Sequence, residues 1–249
     1  MIKKVLTIIV LIISLIGIGI SSYKIILWKN ENSKTEQYAK KQKKDANVIE
    51  EEIISEEDTY SFIDVNIRKL QTTNPEIKGW IKVNGTNVDY SFVQTDNNTF
   101  YLNHSVDKTN SKAGWVFMDF RNELKDLNKN TIIYAHGRAD GSMFGSLRKT
   151  LKNNWLKNEN NHYVKLTTEY NKTIWKVFSV YSINQTSDYL SVNFPKDYDK
   201  FLELIKGRSV YNFNEDVNEN DKVITLSTCQ NNTVRIVLHA KLIKIEPYN

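Results

Sequence analysis

The chain opens on an uncharged apolar run and then alternates short apolar segments with polar breaks to its end. Val5 to Tyr23 holds 19 residues without a charge, and as a helix it spans roughly 28 Å, close to a bilayer core. The rival for this stretch is a cleaved signal peptide. It lacks an Ala-x-Ala-like site and its apolar run is longer than a usual signal core, so an uncleaved anchor over 1–23 is expected. Residues 24–58 are charged and carry no glycine or proline, the pattern of a solvated helix or a disordered stalk acting as spacer, with a basic cluster suited to anionic headgroups. Phe62, Ile63, Val65, Ile67 and Leu70 predict a short amphipathic helix closed by Asn74-Pro75.

From there the period shortens to two. Strands are predicted at 80–83 and 88–93, joined by a hairpin that opens with Asn84-Gly85. Further strands are predicted at 113–118 and at 131–135, a buried run ending at His136. Segments 164–168 and 173–183 form a hairpin about Asn171, and helices are predicted at 144–156 and 198–205. Val223 to Thr228 reads as a strand ending at Cys229, Gln230 to Thr233 as a tight polar connection, and 234–242 as the returning strand. Many strands and few helices without βαβ alternation favour a closed or nearly closed mixed β-barrel over 59–249.

Charge changes the picture in one respect. The net charge of +5 would suggest a nucleic-acid partner, but residues 1–49 hold nine lysines and three acidic residues. The rest is therefore near neutral, which argues against phosphate-backbone binding. The lysines beyond the apolar run outnumber Lys3 and Lys4 before it, so charge counting alone sets the domain inside the cell.

Candidate chemistry is sparse. Cys229 is the single cysteine, so no internal disulfide exists. A lone cysteine is commonly a small buried hydrophobe, yet this one ends a strand beside polar residues. A thiol with an ordinary pKa is mostly protonated at neutral pH and needs a base or a nearby cation. His136 ends a strand and opens the loop Gly137 to Ser142, a place where catalytic groups are carried. His239 lies mid-strand on the face of Arg235 and Val237 and reads as structural, whereas His104 and His162 fall in polar turns and read as solvated. Arg235, near the start of the last strand, brings a permanent cation to the same end of the sheet as Cys229.

Thr225-Leu226-Ser227-Thr228-Cys229, with Arg235 on the next strand, resembles the TLxTC signature of sortases. Thr131 to Leu147, Asn74 to Gln94 and Tyr101 to Asn122 are similar to segments of class B sortases in the same order. The resemblance implies an eight-stranded β-barrel, preceded by an N-terminal helix and a membrane anchor, in a cysteine transpeptidase of Gram-positive cells. It implies secreted proteins with a C-terminal sorting motif and a peptidoglycan-precursor amine as partners, and a membrane location with the domain outside, against the lysine count. Carried over by residue, Cys229 is the nucleophile, His136 the general acid/base, and Arg235 the stabiliser of the substrate carbonyl and oxyanion. Ser227, on the strand face of Cys229, and Tyr189 are expected substrate contacts. No acidic residue lies between Cys229 and Arg235, so no carboxylate orienter is expected there. No cofactor and no metal is expected, as no acidic cluster has calcium-site spacing. A membrane-anchored cysteine peptidase that only hydrolyses, and a non-catalytic wall-binding domain, are the alternatives.

Overall fold

The computed structural model describes residues 2–50, 61–229 and 234–248. The expected connection Gln230 to Thr233 and the 51–58 part of the expected spacer lie outside these residues. Helix α1 (Ile2–Asp45) carries the apolar run and continues without a break through the lysine-rich stretch. Residues 24–45 were expected as a solvated spacer, but Thr35 and Gln42 are buried against the domain.

A two-stranded ladder of β1 (Ile49–Glu50) and β2 (Ile63–Asp64) precedes the barrel. The helix expected from Phe62 starts only at α2 (Ile67–Gln71), because Ile63 pairs with Glu50 and the Asn66 side chain caps the helix by accepting from Lys69 N–H at 2.9 Å. The barrel strands are β3 (Ile77–Val83), β4 (Asp89–Val93), β5 (Phe117–Met118) and β6 (Asn130–His136). The expected 144–156 helix is instead a 3-10 segment, Phe144–Leu151, followed by α3 (Asn153–Leu156). Its start is held by Met143, whose N–H donates to Tyr90 Oη at 3.1 Å and whose φ is 51°. Strands β7 (Tyr163–Thr168) and β8 (Asn171–Asn184), helix α4 (Tyr198–Gly207), and strands β9 (Val223–Cys229) and β10 (Val234–Pro247) complete the chain.

Strands close in the order β10-β8-β7-β3-β4-β5-β6-β9, an eight-stranded barrel. Closure removes exposed sheet edges and encloses Ile81, Phe92, Trp175, Ile224 and Leu226, while Trp80 and Trp115 pack on the Ser91 face beneath α1. A fully buried side chain of this size contributes about 2–3 kcal/mol. A second apolar cluster lies outside the barrel wall, where Tyr198, Phe201, Leu202 and Ile205 of α4 pack with Phe178, Tyr181, Val223 and Val237. These α4 positions recur at helical spacing, which explains why one face of the helix is apolar. Strands β6 and β9 are thus buried on both faces, with Thr225 and Ser227 of β9 among the buried polar residues.

Candidate active site at the ends of two parallel strands

Strands β6 and β9 are parallel neighbours, paired from Asn130↔Val223 to His136↔Cys229. His136 and Cys229 therefore end adjacent strands at the same height, on backbones about 4.8 Å apart. Strand β10 runs antiparallel to β9 from Val237↔Ser227 onward, the hairpin partnership that the sequence predicts. Arg235 stands two residues before that pair, half-buried, and its Nη1 donates to Thr228 O at 3.1 Å. Ile236 N–H donates to Thr228 Oγ1 at 2.9 Å, so both backbone and side chain of Thr228 fasten the Arg235 end of β10 to the Cys229 end of β9.

The orientation of His136 is set by a backbone atom. Its Nε2 lies 2.7 Å from Leu102 O. A carbonyl only accepts, so Nε2 carries the proton in this bond. Leu102 ends a 3-10 turn, Phe100–Leu102, whose start is fixed by Asn97 Oδ1 accepting from Phe100 N–H at 2.9 Å. The loop returns through Ser111 N–H to Asn103 O at 2.7 Å and Trp115 N–H to Tyr101 O at 2.9 Å. Gly114 completes the return at φ +60°. A Cβ there would stand 2.5 Å from Tyr101 O, 2.9 Å from Leu102 O and 3.1 Å from His136 Cδ2. Trp115 N–H is thus engaged in the loop, and β5 is confined to Phe117–Met118, although a strand from Ala113 was expected. Leu102 and Gly114 escape sequence reasoning because a carbonyl has no residue signature and glycine marks many kinds of loop.

Ser227 and Tyr189 are brought together, but under the surface. Both are fully buried, and Tyr189 Oη lies 3.0 Å from Ser227 Oγ. Beside them runs a second buried polar chain. Thr225 Oγ1 donates to Asn130 Oδ1 at 2.7 Å, and Asn130 Nδ2 donates to Ser191 O at 2.8 Å. With its proton used, Thr225 Oγ1 accepts from His239 Nδ1 at 2.9 Å, which leaves His239 Nε2 to accept from Tyr181 Oη at 2.9 Å. His239 is therefore a structural histidine, as its mid-strand position predicts. Burial, and then the Arg208 charge, lower its pKa to about 3 and keep it neutral. His104 stacks on Phe100 with ring centroids 3.9 Å apart. His162, expected in a solvated turn, is buried instead, with Nε2 2.9 Å from Leu156 O. The aromatic packing of Trp155 and Phe213 against its ring excludes the water that its polar neighbours suggest. Among the described residues no cluster of three or more His, Cys, Asp or Glu is placed to hold a metal ion.

The arrangement joins a thiol-bearing residue, an oriented imidazole and a guanidinium at one end of a rigid sheet, a constellation suited to acyl transfer. Comparison with known proteins agrees with that chemistry. The sortase domain family matches residues 81–243. Sortase B of Staphylococcus aureus is 38% identical over 182 residues, 71% of this chain and 74% of the relative. Sortase B of Listeria monocytogenes is 36% identical over 184 residues, with the same shares covered. A solved Staphylococcus aureus sortase B–substrate complex superposes with a TM-score of 0.68 at 37% identity, over 72% of this chain and 85% of that one. The chain belongs to the sortase family, in its class B branch, and is a cysteine transpeptidase.

Proposed function

We propose that this transpeptidase cleaves a C-terminal sorting motif after its threonine and transfers the new acyl end to an amine of the peptidoglycan precursor. The observation that carries the reading is the register pair His136↔Cys229, with Arg235 bonded to the residue before the cysteine. In this mechanism the Cys229 thiolate attacks the threonine carbonyl, forming a C–S bond and an oxyanion that the Arg235 guanidinium stabilises. Collapse breaks the C–N bond, and the leaving amine takes a proton from His136. An incoming amine then attacks the thioester and gives its proton to His136, and Cys229 leaves as thiolate. Because Leu102 O holds Nε2–H, the proton exchanged with substrate passes through Nδ1. The backbone carbonyl fills the orienting role that a carboxylate has in other triads. Ser227 and Tyr189 act from behind the nucleophile, as a buried hydroxyl pair that stiffens β9, rather than by touching the peptide.

The substrate class is supported by the substrate complex of the Staphylococcus aureus relative. The apolar start of α1 supports a membrane anchor, and membership of the sortase family supports a domain outside the cell, against the lysine count. The test mixes the protein with LPxTG-, NPxTN- and SPxTG-like peptides and follows intact mass. A Cys229 adduct ending in the motif's threonine, absent in Cys229→Ala and discharged by an added amine, is expected. Discharge by water at an equal rate with and without amine would favour the hydrolytic reading, and no adduct from any peptide would remove the proposal. Protease digestion of intact cells checks the orientation, since an outside domain is shaved and an inside one is not.

A further inference from the structure

The juxtamembrane part of α1 meets the domain close to His136. Its apolar stretch ends at Trp28, and three residues later Glu31 reaches the loop that carries Leu102. Glu31 Oε1 accepts from the backbone N–H of Lys112, from that of Ala113 at 3.2 Å, and from the Ser111 hydroxyl at 3.3 Å. Ser111 N–H in turn donates to Asn103 O, next to Leu102. One residue along the helix, Asn32 Oδ1 accepts from the Arg138 guanidinium, two residues past His136. Further down the same face, Tyr38 Oη donates to Asp107 Oδ2 at 2.5 Å and Gln42 Oε1 accepts from Ser91 Oγ at 2.7 Å. Glu31, Thr35, Tyr38 and Gln42 recur at the spacing of one helix face, but as a polar stripe rather than an apolar one. The helix thus grips both chain segments that bound the imidazole.

We propose that Glu31 is a positioning residue for His136, holding the 101–114 loop so that Leu102 O keeps the imidazole in its working orientation. Asn32 braces the other side through Arg138. The membrane-proximal helix is then part of the catalytic apparatus, and not only a tether. The proposal rests on His136 as the acid/base of the proposed transpeptidation. A carboxylate that accepts several backbone N–H bonds is worth more than a neutral acceptor in its place, and its removal strands those donors.

The experiment uses the full chain in detergent micelles, as wild type, Glu31→Ala and Glu31→Gln. Two quantities are read: single-turnover acylation by the best donor peptide, and carbethoxylation of each histidine by diethyl pyrocarbonate, mapped by mass. Glu31→Ala is expected to lower the acylation rate about tenfold at saturating peptide with KM within twofold. It should also speed modification of His136 severalfold, while buried His162 and His239 react as in wild type. Glu31→Gln, whose amide oxygen still accepts, should recover most of both. An unchanged His136 reactivity in Glu31→Ala overturns the proposal, as does equal acceleration at all three histidines, which reports general loosening. If no peptide acylates the wild type, the functional reading fails, and the His136 reactivity still decides whether Glu31 holds the ring.

Discussion

Replacing Gly114 with alanine tests whether a backbone carbonyl really sets the histidine. The new Cβ enters at φ +60°, which costs an L-residue about 1–2 kcal/mol. It also arrives 2.5 Å from Tyr101 O and 2.9 Å from Leu102 O, both backbone atoms tied into the loop. Relieving those contacts moves the carbonyls by roughly half an ångström, at a further cost of about 1–3 kcal/mol. Leu102 O holds His136 Nε2 at 2.7 Å, so the same movement lengthens or bends that bond, and the contact at 3.1 Å from His136 Cδ2 pushes the ring directly. If His136 is the acid/base of the proposed mechanism, a misplacement of this size costs about ten- to hundredfold in rate. The assay is single-turnover acylation by a sorting-motif peptide, paired with a thermal melt in which Tm falls by about 5–10 °C. Gly85→Ala is the matched control. It has φ +68°, and the three atoms nearest its Cβ all belong to the Asn161 side chain, so it should lose stability and keep its rate. If Gly114→Ala acylates within twofold of wild type while its Tm falls like that of Gly85→Ala, the carbonyl does not orient the base.

Two other outcomes follow from the buried polar layer behind β9. Tyr189→Phe leaves the Ser227 hydroxyl without its partner and should cost about 1–2 kcal/mol in a denaturant titration, with the donor-peptide KM unchanged. A raised KM at wild-type stability would instead make Tyr189 a substrate contact. His239 has a folded pKa of about 3, below its unfolded value of 6.5, so its stabilising contribution is complete above pH 6.5 and is lost as pH falls toward 3. Melting between pH 7 and 5 should show a loss approaching about 1.4 kcal/mol per pH unit at the acid end. That slope should shrink in His239→Gln, and an equal slope in both proteins would assign the acid sensitivity elsewhere.

The strands that carry the site are readable in the sequence because each is a β-branched run bounded by polar residues, as at Thr131 to Ala135 and Val223 to Thr228. Alternation along β10 also sets Arg235 and His239 on one face. Neighbours are another matter. Periodicity says that β6 and β9 are strands, not that they pair in parallel at His136↔Cys229, since that pairing depends on how the whole barrel closes. The docked face of α1 was hidden for a different reason. Glu31, Asn32, Tyr38 and Gln42 bind through polar atoms, so nothing in the hydrophobic pattern separates them from a solvated spacer. The 3-10 segment at Phe144 to Leu151 has a helix-like apolar spacing, and its tighter winding follows from contacts of Met143 with a distant strand.

The pairing of β6 with β9 also dictates when in the life of the chain chemistry becomes possible. His136 and Cys229 are about ninety residues apart in sequence, and such distant partners meet late because their loop entropy is spent before the contact forms. Strand β9 has only β6 and β10 as neighbours, and β10 is the last strand to be made. A growing chain therefore carries His136 and its loop long before Cys229 is in place. Cys229 comes beside His136 and Arg235 only when β9 pairs with β6 and β10. In that order of events, barrel closure is itself the step that assembles the candidate site.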